Sequence, residues 1–315
     1  MKKHLSSLLL FIAALLWGLA FTAQKQAAEV PTFTLGATRN IVATLFLLIV
    51  TVPFDKLRKN GRSLIKNRRP DYTKYEIVGG ILCGAVLTFA SAFQQYGIGS
   101  GTDAGKAAFI TALYVAIVPF IGLFMKRRSP LRVWIGVGIA VVGFYLLCIN
   151  ESLTIDPADA LVLVCAFIFA LHITVVDHYS PKCDGIRLAT IQFFSCFIFN
   201  TGIALLMEFP IRTDLVAACL PALLYLGICS SGIAYTLQIL GQKDANPAVA
   251  GIIMSLESVF GVLGAAVLTG EILEPREYLG CVIVFIAVIL SELDISAFKK
   301  KGQKHSDTIP KDTST

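Results

Sequence analysis

The chain has 315 residues, 56% of them hydrophobic and 15% charged, with a formal net charge of +6 and a mean hydropathy of +0.73. Soluble globular chains are about 45–50% apolar and about 25% charged, so this balance excludes an ordinary water-soluble domain. The basic residues cluster in loops beside apolar runs, a pattern that sets membrane orientation and gives no reason to invoke nucleic acid.

A spanning helix needs about 20 predominantly apolar residues. In chain order, ten such runs occupy 5–24, 33–53, 76–97, 104–125, 131–149, 158–178, 187–207, 214–240, 247–269 and 276–294. The first resembles a signal peptide, because Lys2 and Lys3 precede the apolar run from Leu5 to Phe21. No A-x-A site follows it, so it reads as a retained helix. Most prolines fall at span ends, where the first turn has spare N–H groups. Pro119 and Pro221 fall inside spans and predict kinks. The stretch 298–315 is polar and basic and reads as a disordered tail.

With a cytoplasmic N-terminus, all but Lys25, Arg39, Lys106, Arg212 and Arg276 of the 27 basic residues fall on the cytoplasmic side. The loop from Lys56 to Lys74 carries the densest share. The positive-inside rule therefore predicts both termini in the cytoplasm and a multi-pass protein of the plasma membrane.

The two halves repeat. Sliding the first half onto the second by one constant offset takes Gly84 to Gly227, Thr88 to Ser231, Ser91 to Ala234, Gln95 to Gln238, Ile110 to Ile253 and Leu113 to Leu256. The first four positions, spaced by four, three and four, share one helix face. Small residues on such a face let helices approach closely, so this is either a helix–helix seam or a cavity wall ending in Gln95 and Gln238. Five spans per half make the second half enter the membrane from the opposite side. The expected fold is an all-α integral membrane protein of ten transmembrane helices in two inverted five-helix repeats, 5–149 and 158–294. Inverted repeats are the architecture of secondary transporters, which bind substrate near the midplane at the repeat interface.

Charged groups inside spans are rare and serve function. Glu257 lies about eleven residues into its run, roughly 16 Å deep at 1.5 Å per residue. It reads as a proton-coupling carboxylate, a ligand for a substrate amine, or a hydrogen-bond partner between helices. Lys106 holds a carboxylate or phosphate, or else snorkels to the surface. Arg39 reads as a structural or head-group contact, or as a ligand. Gln95 and Gln238 offer hydrogen bonds from opposite halves, and His172 titrates near neutrality if it is not merely hydrogen-bonded. Trp17, Phe109 and Tyr114 supply an aromatic wall or face lipid.

Leu16-Trp17-Gly18 with Phe21, Arg39, the stretch Phe109-Ile110-Thr111-Ala112-Leu113-Tyr114-Val115 ending at Pro119, Leu256-Glu257-Ser258-Val259-Phe260 and Gly270-Glu271 are similar to signatures of the EamA-type drug/metabolite transporters. The likeness covers about residues 5–294. Many members have Pro where this chain has Ser258, and Gln192 stands near the position related to Arg39. The resemblance implies ten helices around a central cavity and movement of small organic molecules.

The four histidines form no HExxH, and the sequence holds no GxSxG and no GxxxxGK[ST]. No enzyme activity, cofactor, metal or disulfide is expected. The partners are a small-molecule substrate, the lipid bilayer and either protons or a counter-substrate. A lipid-directed membrane enzyme and a non-transporting scaffold or sensor are the rival classes.

Overall fold

The computed structural model of the chain describes residues 2–59, 73–126, 129–148, 156–269 and 275–292. The tail 298–315, Gly270 and Glu271, and most of the basic loop between Lys56 and Lys74 lie outside them. The described residues are helical throughout, with no strand. The helices are α1 (Lys2–Gln26), α2 (Thr32–Lys59), α3 (Lys74–Gly99), α4 (Ala104–Ala112), α5 (Tyr114–Phe124), α6 (Leu131–Cys148), α7 (Pro157–Tyr179), α8 (Gly185–Met207), α9 (Thr213–Ala218), α10 (Leu220–Tyr225), α11 (Tyr235–Gln242), α12 (Pro247–Met254), α13 (Leu256–Thr269) and α14 (Pro275–Glu292), with a π-helical segment, Leu226–Ala234, between α10 and α11.

By length and apolarity, eight helical stretches can cross a membrane. Four of these are composite: Ala104–Phe124 combines α4 and α5, Pro157–Lys182 combines α7 with the 3-10 turn Ser180–Lys182, Leu220–Gln242 combines α10, the π segment and α11, and Pro247–Gly264 combines α12 with the start of α13. The fifth and tenth expected spans correspond to two shorter apolar stretches, Leu131–Leu146 and Tyr278–Leu290. The protein is therefore an all-helical, multi-pass membrane protein.

Local chemistry fixes where helices begin. Thr73 and Glu76 form a capping box at the start of α3, and the other Glu76 oxygen accepts from the Asp184 amide at 3.0 Å. Asp184 in turn caps α8 through the amides of Ile186 and Arg187. At the other end of the bundle, Glu208 accepts from the amides of Phe33 and Thr34 at 2.8 and 2.7 Å. A carboxylate there answers the unpaired N–H groups and positive pole of a helix start.

The spans break where the backbone ladder tightens or loses a donor. Between α4 and α5, Leu113 and Ala116 bond three residues back. Pro119, further along α5, has no N–H to offer. The break therefore sits at Leu113, upstream of the proline that predicted a kink. Pro221 lies in the first turn of α10, where the missing donor costs nothing, and the irregularity follows in the π segment. Between α12 and α13 the break falls at Ser255, whose hydroxyl bonds to Ile252 O at 2.7 Å; the Ser258 hydroxyl bonds to Ser255 O at 2.8 Å. Serine hydroxyls compete here with backbone donors.

Packing pairs α1 with α13 and α11, α2 with α8 and the π segment, α3 with α7 and α8, α5 with α7 and α12, and α6 with α14. Glycines permit the closest approaches. A Cβ on Gly84 would sit 2.7 Å from Gln192 O on α8, and one on Gly227 would sit 2.6 Å from Val42 Cγ1 on α2. These two positions, which correspond under the repeat, form helix–helix seams.

Candidate functional site

The helices line a cavity with about 520 Å³ of empty space, part of it open to solvent. Its wall draws Trp17, Phe21 and Gln24 from one face of α1, Arg39 from α2, and Ser91 and Gln94 from α3. Thr111 and Tyr114 flank the α4–α5 break, and Met254 and Glu257 flank the α12–α13 break. Phe169 and Ile173 of α7, Ser230 of the π segment, and Tyr235 and Gln238 of α11 complete it. The offset that superposes the halves relates Thr111 to Met254 and Tyr114 to Glu257, so both repeat-related pairs face the same space.

Tyr114 and Glu257 lie close enough to interact electrostatically. Yet the Tyr114 hydroxyl and Glu257 Oε1 both lack a hydrogen-bond partner of normal geometry among the described residues, as do Gln24 Oε1 and Gln238 Oε1. All four side chains are buried within the protein. Buried polar atoms are normally paired, so unpaired ones aimed into a cavity leave positions for a ligand, a proton or water.

Arg39 is held differently. Its Nε and Nη2 donate to Ser231 Oγ at 3.1 and 3.0 Å, and Nη2 reaches Ser230 Oγ at 3.4 Å. These hydrogen bonds go to neutral hydroxyls, which leave the positive charge of the guanidinium in place. The Trp17 indole N–H donates to Ser230 O at 3.1 Å and its ring meets Tyr235 edge-on, with centroids 4.7 Å apart. Two groups from the first half thus grip the π segment. A π segment frees backbone groups from the α-helical ladder and is frequent at functional sites.

The structure brings five of the nine sequence candidates together: Trp17, Arg39, Tyr114, Gln238 and Glu257. The other four sit elsewhere, Phe109 with its ring edge-on to Phe144. Gln95 turns away and donates to Gln24 O at 3.4 Å; its neighbour Gln94 faces the cavity and donates to Thr111 Oγ1 at 3.0 Å. His172 is fully buried behind Tyr235 and shares a 3.2 Å hydrogen bond with Gln192 Oε1. Lys106 pairs with Asp159 of α7 rather than reaching the cavity. Sequence reasoning did not single out Gln24, Thr111, Ser230 or Tyr235. The spacing of Trp17, Phe21 and Gln24 carried a usable signal, since i, i+4 and i+7 share a face. Among the described residues no group of three or more His, Cys, Asp or Glu side chains is placed to hold a metal ion.

A helical bundle with several membrane-crossing stretches and a polar cavity among them is the architecture of a multi-pass membrane protein with an internal site. The chain belongs to the EamA-like transporter family, whose model matches residues 4–149 and 156–293. It is 30% identical over 298 residues to an uncharacterized transporter of Archaeoglobus fulgidus, covering 93% of this chain and 88% of that one. It is 27% identical over 310 residues to the uncharacterized transporter YwfM of Bacillus subtilis, covering 96% and 97%. A solved crystal structure shares the fold with a TM-score of 0.71 at 17% identity, over 91% of this chain and 96% of the other.

Proposed function

We propose that the chain is a secondary transporter of small organic metabolites, such as amino acids or related compounds, in the plasma membrane. Two inverted five-helix repeats, 5–149 and 158–294, give alternating access to the central cavity, and both termini are cytoplasmic. The family and the relatives' names support a membrane transporter; the substrate class, the membrane and the mechanism are our reading. The packing supports the repeats. Exchanging the halves turns the α3–α7 contact into that of α1 with α11, the α3–α8 contact into that of α2 with the π segment, and the α1–α13 contact into that of α5 with α7. The α2–α8 and α6–α14 contacts map onto themselves.

One observation carries the proposal: Tyr114 and Glu257 lie within hydrogen-bonding reach of each other and face one cavity from repeat-related positions at two helix breaks. Broken helices at the repeat interface are where secondary transporters bind substrate and coupling ion. Glu257 is the group we assign to carry a proton or meet a substrate cation. Arg39, Gln94 and Gln238 orient the polar part, and Trp17, Phe21, Tyr114 and Phe169 cover the apolar part.

The test is accumulation of labelled amino acids, organic cations, nucleosides and sugar phosphates in vesicles reconstituted with the purified protein, with and without a pH gradient. Saturable, gradient-dependent movement of one class is expected, and its sense relative to the gradient gives the direction. Lipid turnover by the same preparation, or no movement of any compound by folded protein, overturns the reading.

A further inference from the structure

A charged cluster lies at one end of the bundle, away from the polar groups that line the cavity. Lys106 of α4 pairs with Asp159 of α7. Asp159 Oδ1 also accepts from Thr102 Oγ1 at 3.1 Å, and Lys25 Nζ at the end of α1 donates to Thr102 O at 3.3 Å. Asp159 is the buried member, with its side chain 7% exposed against 40% for Lys106. The cluster therefore joins α1, the α3–α4 connection, α4 and α7. The elements it ties together carry Gln24, Gln94, Thr111 and Phe169 on the cavity wall. Along α4 the wall begins five residues beyond Lys106, roughly 8 Å at 1.5 Å per residue. Along α7 it begins ten residues beyond Asp159, roughly 15 Å. The cluster thus lies between the cavity wall and that end of the bundle.

The repeat gives the opposite end a different closure. The same offset between halves takes Thr102 to Ala245 and Lys106 to Val249, so neither the hydroxyl nor the ammonium has a mate there. Contacts there include close packing of Gly241 against Leu10 and Ser6 O, Gln242 Nε2 donating to Ile173 O at 3.0 Å, and the buried side chains of Asp177 and Arg187.

We propose that Lys106, Asp159, Thr102 and Lys25 form a latch that holds one mouth of the cavity shut, and that opening this mouth requires the Lys106–Asp159 pair to part. The inference rests on the alternating-access reading. The pair adds to the stability of the state closed at the Lys106 end. On the orientation proposed above, that is the extracellular mouth.

Amide hydrogen exchange of the full-length protein in lipid nanodiscs tests this, because exchange reads local opening directly. Lys106→Gln is expected to speed exchange in peptides covering 99–106 and 156–162 by about fivefold, the scale of one partly exposed ion pair. It is expected to slow exchange in a peptide covering 242–248, at the opposite mouth. Lys106→Arg is expected to restore both. Unchanged exchange at 99–106, or faster exchange at both ends, overturns the latch; the second outcome marks general loosening. The assay needs no substrate. The opposite-signed response with no transport in vesicles would remove the transport reading, whereas intact transport with no such response would remove the latch alone.

Discussion

Tyr114 and Glu257 occupy equivalent places in the two halves, and each stands in the first turn of a helix that restarts after a break. Both side chains end in the same cavity. One half thus places a phenol and the other an acid at positions related by the sequence offset.

Replacing Glu257 with Gln keeps the size and one acceptor but removes the ionisable group. Because Tyr114 can donate to the amide oxygen as it can to the carboxylate, the thermal midpoint in detergent is expected to stay within a few degrees. Accumulation driven by a pH gradient is expected to fall at least about tenfold, within the range set by loss of one charged contact. Gradient dependence equal to that of the native protein would remove Glu257 from coupling.

Arg39 and the serines of the π segment act as a unit. Arg39→Lys keeps the charge but not the fork that reaches two hydroxyls. It is expected to reduce uptake about tenfold, the factor of roughly 1.4 kcal/mol typical of a bond to a charged group. Ser231→Ala, made in Arg39→Lys, is expected to add little. A double-mutant cycle read on uptake checks this; full additivity would show that the serines do not hold the guanidinium.

The glycine seams allow a controlled stability test. Gly84→Ala and Gly227→Ala force a methyl against backbone or a branched side chain and are expected to cost about 1–3 kcal/mol each. Gly138 and Gly202 have open space where a Cβ would sit, so alanine there is expected to be neutral or mildly stabilising. Thermal unfolding of the four variants in one detergent distinguishes them, and equal midpoints would contradict the close approach.

The exposed Arg212–Asp214 pair supplies a negative control for pH. Hydrogen bonds from Arg212 hold the Asp214 carboxyl down at about 2. A depressed carboxylate contributes above its unfolded value, near 3.9, and loses that contribution only as pH falls through about 2. The pair therefore stays charged across any physiological range. Asp214→Asn is expected to leave the pH profile of transport in place, and a displaced profile would mean that this loop communicates with the cavity.

Much of the fold was legible in the sequence because apolar runs and prolines mark spans directly. Gly84 and Gly227 were legible as part of a small-residue face, either a seam or a cavity wall, and the packing makes these two positions seams. The site was only partly legible. Gln94 and Gln95 are adjacent in sequence, about 100° apart in helical rotation, and only packing decides which faces inward. The breaks at Leu113 and Ser255 arise from local bonding choices that no single residue announces. The partner of Lys106 lies on a different helix in the other half, which spacing along the chain does not encode.

The protein contains two tryptophans, Trp17 and Trp134. Trp17 lines the cavity, while Trp134 stacks edge-on against Phe120 of α5, outside the wall. A Trp134→Phe chain would emit from the cavity alone. Its fluorescence becomes a built-in indicator that changes when a compound settles beside the indole, so unlabelled libraries can be screened by light before any candidate substrate is radiolabelled.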